Sequence, residues 1–399
     1  AKNNNAFASQ EALDYWQSVD LYVGGTEHAV GHLMYSRFWH KFLFDKGFVP
    51  TKEPFKKLIN QGMIQGVIEY IYLKKEKVNG RSQFICAKLA EMTGVTDVAK
   101  IPIHVDFVQN YGSPSSYMNI ESIKKFMDWR PEYADAEFVC GNGIYCEGIF
   151  TPNGDATDSH LFTKSEIGKM SKRYFNVVNP DDMVERYGSD CFRMYEMFLG
   201  PIEQGKPWDT KGIDGVSKFL RKFWGLFHND KDEFVVSDEA ATKAEMKILH
   251  TAIKKINDDI ERFSFNTCVS AFMVATNDLK KLNCNKRAVL QPLVQLLAPF
   301  GPHIAEELWD KLGQHNNTIT IHKGSYPQAD ESYLKEDSFT YPVCINGKKR
   351  TEMSFAADAS KEDMEAGALA LEAVQKWTEG KTVRKVIVVP KRMINIVVG

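Results

Sequence analysis

No stretch of the 399 residues is apolar for long enough to cross a bilayer, and the first residues do not read as a secretory leader. Neither sign of charge dominates. Fifty Lys and Arg stand against 52 Asp and Glu, a net charge of -2, so any nucleic-acid surface must be local rather than global. Cysteine is sparse, scattered and odd in number at seven, which favours reduced thiols in a cytoplasmic protein over a disulfide scaffold. Cys140, Cys146 and His160 fit no usual zinc spacing, so no metal site is expected. Internal repeats and low-complexity tracts are also missing. The chain begins with Ala1 and a polar Lys2-Asn3-Asn4-Asn5 stretch, which reads as a sequence taken from a longer one.

What is present suits a globular protein of several domains. Hydrophobic residues make up 43% and charged residues 26%, enough apolar material for sizeable cores in a chain of this length. A short apolar strand at 19–24 stops at Gly24-Gly25, and apolar and aromatic residues then recur at helical spacing over 26–44. A second strand with a glycine break covers 58–66, giving the strand–helix–strand rhythm of an α/β sheet. Residues 67–160 read as an inserted α+β module, with a hairpin at Asn79-Gly80, a helix at 119–129 and short strands near Gly141, Gly143 and Gly148. Helical periodicity then dominates, with helices expected at 212–228, 238–262, 267–282 and 287–312 in an antiparallel bundle. A polar stretch at 313–337 reads as a linker. The tail reads as a hairpin turning at Asn346-Gly347, a helix at 361–378 and strands at 383–389 and 393–398.

Two segments carry chemistry. Lys169-Met170-Ser171-Lys172 lies in a polar stretch after Gly168. Two lysines on a mobile loop suit the charge that develops on a pyrophosphate leaving group when an α-phosphate is attacked, and mobility would let the loop close over a nucleotide. A lysine-rich loop taken alone is more often a solvated surface. Gly24-Gly25-Thr26-Glu27-His28 lies at a strand-to-helix turn, where glycines let a nucleotide approach the backbone and an acid such as Glu27 can accept both ribose hydroxyls. A Gly-Gly turn without context is more often structural.

Context comes from the neighbouring residues. Lys169-Met170-Ser171-Lys172 resembles the second signature of class I aminoacyl-tRNA synthetases. Asn176-Val177-Val178-Asn179-Pro180, Glu185-Arg186-Tyr187-Gly188-Ser189-Asp190 and Arg193-Met194-Tyr195-Glu196-Met197 resemble the leucyl branch of that family. The family signature usually ends in serine, whereas this chain has Arg173. The resemblance implies that Lys169 and Lys172 are catalytic and that Ser171 shapes their loop. It places Gly24, Gly25, Glu27 and His28 at ATP, and His28 with His32, one helical turn apart, at the adenylate and the leucine pocket. Asn60-Gln61-Gly62-Met63-Ile64 matches the segment that lies against adenine, although Gln61 and Met63 also suit an ordinary strand. Ala298 to Trp309, with Gly301 and Pro302 at a helix start, resembles the last long helix of the anticodon-arm bundle; His303 reads as a packing or capping residue.

Two further features of the family are missing here: the His-x-Gly-His first signature and a β-rich editing module. The expected architecture is therefore the second half of a Rossmann-like catalytic domain (1–66 and 161–210), the inserted module (67–160), a helical anticodon-binding bundle (211–330) and a small C-terminal α/β domain (335–399). The expected partners are tRNA(Leu), leucine, ATP with Mg2+ and the N-terminal half of the same polypeptide, with no membrane and no bound cofactor. In the tail, residues 381–399 contain Lys381, Arg384, Lys385, Lys391 and Arg392 and no acid, and the hairpin adds Lys348, Lys349 and Arg350. These basic residues suit a phosphate-binding face for tRNA. Two alternatives stay open: another class I ligase for an aliphatic amino acid, and a non-catalytic tRNA-binding relative.

Overall fold

The structure, a computed structural model, describes residues 3–154, 159–313, 320–335 and 338–399. It falls into two units: Ala1–Ala240 with Ala252–Pro327, and Ala241–Thr251 with Gln328–Gly399. No helix among the described residues is long and apolar enough to cross a membrane.

The first unit opens with a βαβ element. Strand Tyr22–Gly25 pairs in parallel with Leu58–Gln61, and a helical run over residues 26–45 connects them. That run begins as a 3-10 turn at Thr26–His28, widens to a π-helix at Ala29–Leu33 and becomes α-helical at Met34–Asp45. Its α-helical part buries nothing: Met34, Tyr35, Phe38, Trp39 and Phe42 are all exposed large hydrophobics. An apolar stripe at this spacing is built to be covered.

The anticipated glycine break in the second strand separates two strands of different sheets. Leu58–Gln61 ends at Gly62, and Ile64–Lys74 then enters an eight-stranded sheet. The expected boundary at 67 thus falls inside a strand, which runs on without a break from residue 64 to residue 74. In that sheet Lys164–Lys169 pairs with Ile64–Lys74, which pairs with Gln83–Ile85; Glu137–Cys140, Gly143–Cys146 and Ile149–Pro152 continue the order. Val98–Ile103 and Lys206–Pro207 also pair with Ile64–Lys74. The hairpin at Asn79-Gly80 has positive φ at both residues, the requirement of a tight turn that Asn-Gly meets with least strain. Helix Ile120–Trp129, capped by the Asn119 side chain on Ser122 N, drops Ile123 and Phe126 onto Phe84 and Phe138.

The bundle follows its apolar period. Ile213–Trp224 buries Ile213, Val216, Phe219 and Phe223, and Phe265–Lys281 buries Cys268, Val269, Phe272 and Leu279. The expected helix over 287–312 is two helices, Arg287–Leu297 and Pro302–Lys311. Pro302 carries no amide hydrogen, and Gly301 before it leaves the helical region at φ -128, ψ 76, as a residue preceding proline tends to do. The described part of the expected linker is not free. Ile321 is buried, and the Tyr326 hydroxyl donates to Leu296 O at 3.2 Å. Residues 314–319 and 336–337 of that linker lie outside the described residues.

The second unit is a four-stranded sheet in the order Lys348–Ala356, Ser338–Ile345, Met393–Val398, Val383–Val389. Its core joins Val343, Ile345, Ile394 and Ile396 to Met364, Ala368 and Val374 from helices. The single helix expected at 361–378 is Lys361–Ala370 and Glu372–Thr378, broken where Leu371 turns extended (φ -64, ψ 128). Helix Lys243–Glu261 starts later than the expected residue 238. Thr242 and Glu245 form a capping box there, with Thr242 N on Glu245 Oε2 at 2.7 Å and Glu245 N on Thr242 Oγ1 at 3.3 Å.

Candidate nucleotide-binding site

Strand register places the two sequence signals on one length of chain. Gly24 lies opposite Asn60 and Gly25 opposite Gln61, while four residues further on Gln65 lies opposite Lys169. Four residues of extended chain span at most about 13 Å. The glycine turn and the signature lysine are therefore hung from two ends of one short segment.

At the first end the strand-to-helix turn is open. Gly24 has nothing within 4 Å of where a Cβ would stand, whereas a Cβ on Gly25 would meet Glu27 Oε2 at 2.1 Å. Glycine at 25 is what allows the Glu27 carboxylate to fold back over the strand end. Glu27 and His28 are half exposed and 3.7 Å apart at their nearest charged atoms. His28 and His32 share a helix face, with ring centroids 6.4 Å apart. His32 Nε2 is hydrogen-bonded to the Tyr22 hydroxyl, whose ring stacks on Phe55 at 4.0 Å. The π-helix turn between the two histidines is a local widening often associated with functional sites.

Gly62 is fixed by close approach. A Cβ there would fall 2.0 Å from Gln204 C, and Gly62 N donates to Ile202 O at 2.9 Å. Gln61 and Gly62 line a cavity of about 410 Å³ with Arg193, Glu196 and Lys206. Burial pushes the Glu196 carboxyl up, opposed by Arg193, and burial pushes the Lys206 ammonium down. Met63 is exposed, and its carbonyl accepts from Lys206 N.

At the second end Lys169 closes a strand and Lys172 opens a 3-10 turn, Lys172–Tyr174. Lys169, Lys172 and Arg173 are exposed, and among the described residues neither lysine pairs with a carboxylate. Arg173 lies 6.0 Å over the Tyr174 ring. Ser171 N donates to Asn176 Oδ1 at 3.0 Å, and Asn176 itself is buried. Phe175 adopts a left-handed conformation at φ 53, ψ 30 and packs edge-on against Trp129 of the insertion at 4.6 Å. A cavity of about 910 Å³ lies beside this segment, lined by Gly66, Tyr111, Met170, Asn176 and Trp208 among others.

The fully buried Glu69 escaped the sequence reading. Its carboxylate accepts from Gly112 N at 3.0 Å, Ser116 Oγ at 3.2 Å, Thr163 Oγ1 at 2.7 Å and Ser165 Oγ at 2.8 Å. It ties the insertion to the strand that ends in Lys169. The Tyr111 hydroxyl beside it is pushed up to about 12 by burial and by the Glu69 charge. The available signal was an acid in the otherwise apolar run Val67-Ile68-Glu69-Tyr70-Ile71. Asp190 was also missed as a structural partner: it accepts from the backbone of His303 and Ile304. His303 also pairs with it through the ring, at 2.8 Å.

The basic residues of the second unit occupy two places. Lys348, Lys349 and Arg350 lie on one edge strand and Arg384 and Lys385 on the other, all at the strand ends near the Asn346-Gly347 turn. Lys391 sits at the opposite end, beyond Val389, over the Phe339 ring. Lys349 is paired with Glu352, and the Arg350 guanidinium stacks on Trp377 at 3.5 Å.

Residues 245–365 match the family model described as the anticodon-binding domain of tRNA ligase. Over 399 residues the chain is 51% identical to a leucine–tRNA ligase of Parabacteroides distasonis, and over 398 residues it is 49% identical to one of Bacteroides thetaiotaomicron. These alignments cover 100% and 99% of the chain and 38% of each relative, so the chain spans 38% of their length. Among solved structures it resembles the agnB2 LeuRS of Agrobacterium radiobacter K84, determined as a ternary complex with tRNA and LeuAMS. The TM-score is 0.55 and the identity 26%, covering 95% of this chain and 38% of that one.

Proposed function

We propose that this chain, whose close homologues are leucine–tRNA ligases, carries half of the adenylation site and the tRNA-binding parts of such an enzyme. The observation that carries the reading is the register of residues 61–65, which holds the Gly25 turn at one end and Lys169 at the other. In the reaction the leucine carboxylate attacks the α-phosphate of Mg-ATP, the bond to the β-phosphate breaks and pyrophosphate leaves. The aminoacyl group then passes to the 3′-terminal ribose of tRNA(Leu), releasing AMP. Lys169 and Lys172 stabilise the charge that grows on the leaving pyrophosphate, and Glu27 seats the ribose beside the Gly24-Gly25 turn. His28 and His32 face the adenylate and the leucine side chain. Gln61, Gly62 and Met63 lie against adenine, and Ser171 shapes the lysine loop.

The βαβ element belongs to a Rossmann-like catalytic domain in this reading. Its exposed stripe of Met34, Tyr35, Phe38, Trp39 and Phe42 is covered by the N-terminal half of the polypeptide, which also supplies the first signature. The bundle and the basic terminal sheet hold tRNA, and the enzyme works in the cytoplasm. The experiment is leucine-dependent ATP–pyrophosphate exchange by the full-length polypeptide and by this chain alone. The full-length form is active with leucine and charges tRNA(Leu), while the chain alone is inactive because half of the nucleotide site is absent. Exchange driven by methionine, valine or isoleucine instead would assign another class I ligase. Binding of tRNA with no exchange would assign a non-catalytic relative.

A further inference from the structure

We infer that Asn176 is the positioning residue of the lysine loop, a latch that sets Lys169 and Lys172 without touching a substrate. The inference rests on the ligase reading for its kinetic consequence and on geometry alone for the latch. Asn176 is 2% exposed, and its side-chain amide spans the loop from within. Oδ1 accepts from Ser171 N at 3.0 Å while Nδ2 donates to Lys169 O at 3.4 Å. The two backbone groups it holds flank Met170 and lie between the α-carbons of the two exposed lysines.

Only an amide does both tasks at this reach. A carboxylate accepts but does not donate, and a hydroxyl is too short to bridge both groups. The space for the latch is made by a missing side chain on the neighbouring strand. A Cβ on Gly66 would stand 2.8 Å from Asn176 Nδ2 and 3.0 Å from Met170 Cγ. Gly66 has no positive φ, so backbone freedom does not call for glycine there; the close approach does. The left-handed Phe175 directly before Asn176 turns the chain inward, and its ring is held against Trp129. Backbone turn, anchor and amide thus converge on one arrangement of the lysines.

The latch is weak enough to release, since a net hydrogen bond of this kind corresponds to about a tenfold change in an opening equilibrium. That suits a loop that must admit a nucleotide and then close. The test begins with limited trypsin digestion of this chain, scored at Lys169, Lys172 and Arg173 against cleavage elsewhere. Asn176→Ala should be cut about tenfold faster at these three sites with other sites unchanged. Asn176→Asp, which keeps the acceptor and loses the donor, should fall in between. Gly66→Ala should act in the same direction although it removes no hydrogen-bonding group. Unchanged rates in both Asn176→Ala and Gly66→Ala, or a rise at all sites alike, would overturn the latch.

In the full-length polypeptide the same variants should lower kcat for leucine-dependent exchange while the KM for leucine holds. A released loop with unchanged kcat would overturn the positioning role. If the unaltered polypeptide shows no leucine-dependent exchange, the ligase reading falls, and the digestion pattern still decides the latch.

Discussion

Replacing Asp190 by alanine removes the acceptor for the first turn of Pro302–Lys311. Of the amides in that turn, Pro302 has none, Ala305 N already reaches Gly301 O at 3.1 Å, and the remaining two go to Asp190. His303 N donates to Oδ1 at 3.2 Å and Ile304 N to Oδ2 at 2.7 Å. Gly301 occupies the cap position and has no side chain to substitute, so the carboxylate from the Ser189–Phe198 helix is the cap. Losing a helix cap costs about 1–2 kcal/mol. A carboxylate at a helix N-terminus adds about 0.3–1 kcal/mol. These overlap rather than add cleanly, giving about 1–2.5 kcal/mol for Asp190→Ala. The His303 ring also pairs with Asp190 at 2.8 Å, but its side chain is 74% exposed. Solvent screening reduces such a pair to at most about 0.5 kcal/mol, so His303→Ala should be nearly silent. Asp190→Asn keeps an acceptor and loses the charge, for about 1 kcal/mol. Urea unfolding of the three variants, read from the midpoint of the transition that includes the bundle, measures each value. Equal losses for Asp190→Ala and His303→Ala would refute the argument, because the ring pairing and not the cap would then hold the helix.

Lys172→Ala in the full-length polypeptide should slow adenylate formation about 100- to 1,000-fold with little change in leucine binding, because the charge it meets grows towards the transition state. An unchanged chemical step in rapid-quench measurements would count against its role. Neutralising Arg384, Lys385 and Lys391 together should weaken tRNA binding and flatten its salt dependence by about 0.7–0.9 log units for each phosphate left without its cation. Because Lys391 lies at the far end of the sheet, its single variant should separate from the other two in a binding series across salt concentrations. Burial holds the His250 ring below its usual value against the pull of Asp330, and the neutral Nδ1 accepts Asp330 N at 3.0 Å. With the folded value depressed below 6.5, this contribution is full above pH 6.5 and is lost as pH falls through 6.5 towards the lower folded value. Melting of the unit that contains His250 should therefore drop on acidification from about pH 7.5 to about pH 5.5, and His250→Gln should remove that dependence; equal pH dependence in both proteins contradicts it.

Local signals carried much of the fold. Asn79-Gly80 and Asn346-Gly347 each mark a turn with positive φ at both residues, and the 3.6-residue period located the bundle helices because their buried faces obey it. Breaks were harder. Pro302 was visible, yet the apolar period on both of its sides suggested one helix, and Leu371 carries no breaker signal at all. The candidate site's two segments stood out in the sequence because glycine and lysine stand there in short motifs. Their register did not, since pairing Gly25 with Gln61 and Lys169 with Gln65 is a property of strands brought together over long separations. Glu69 and Asn176 were hidden for the same reason. Each is polar, buried and satisfied by partners that only the folded chain supplies.

The Glu69 carboxylate has a consequence for synthesis on the ribosome. Its partners Thr163 and Ser165 follow it by 94 and 96 residues. At about 5–20 residues per second, they emerge about 5–20 s after Glu69 does. Through that interval the stretch of Ile64–Lys74 that Lys164–Lys169 will fill is unpaired, and Glu69 has at most Gly112 and Ser116 of its four partners. An ionised carboxylate in mid-strand opposes premature collapse and edge-to-edge association of nascent chains for as long as its partners are missing.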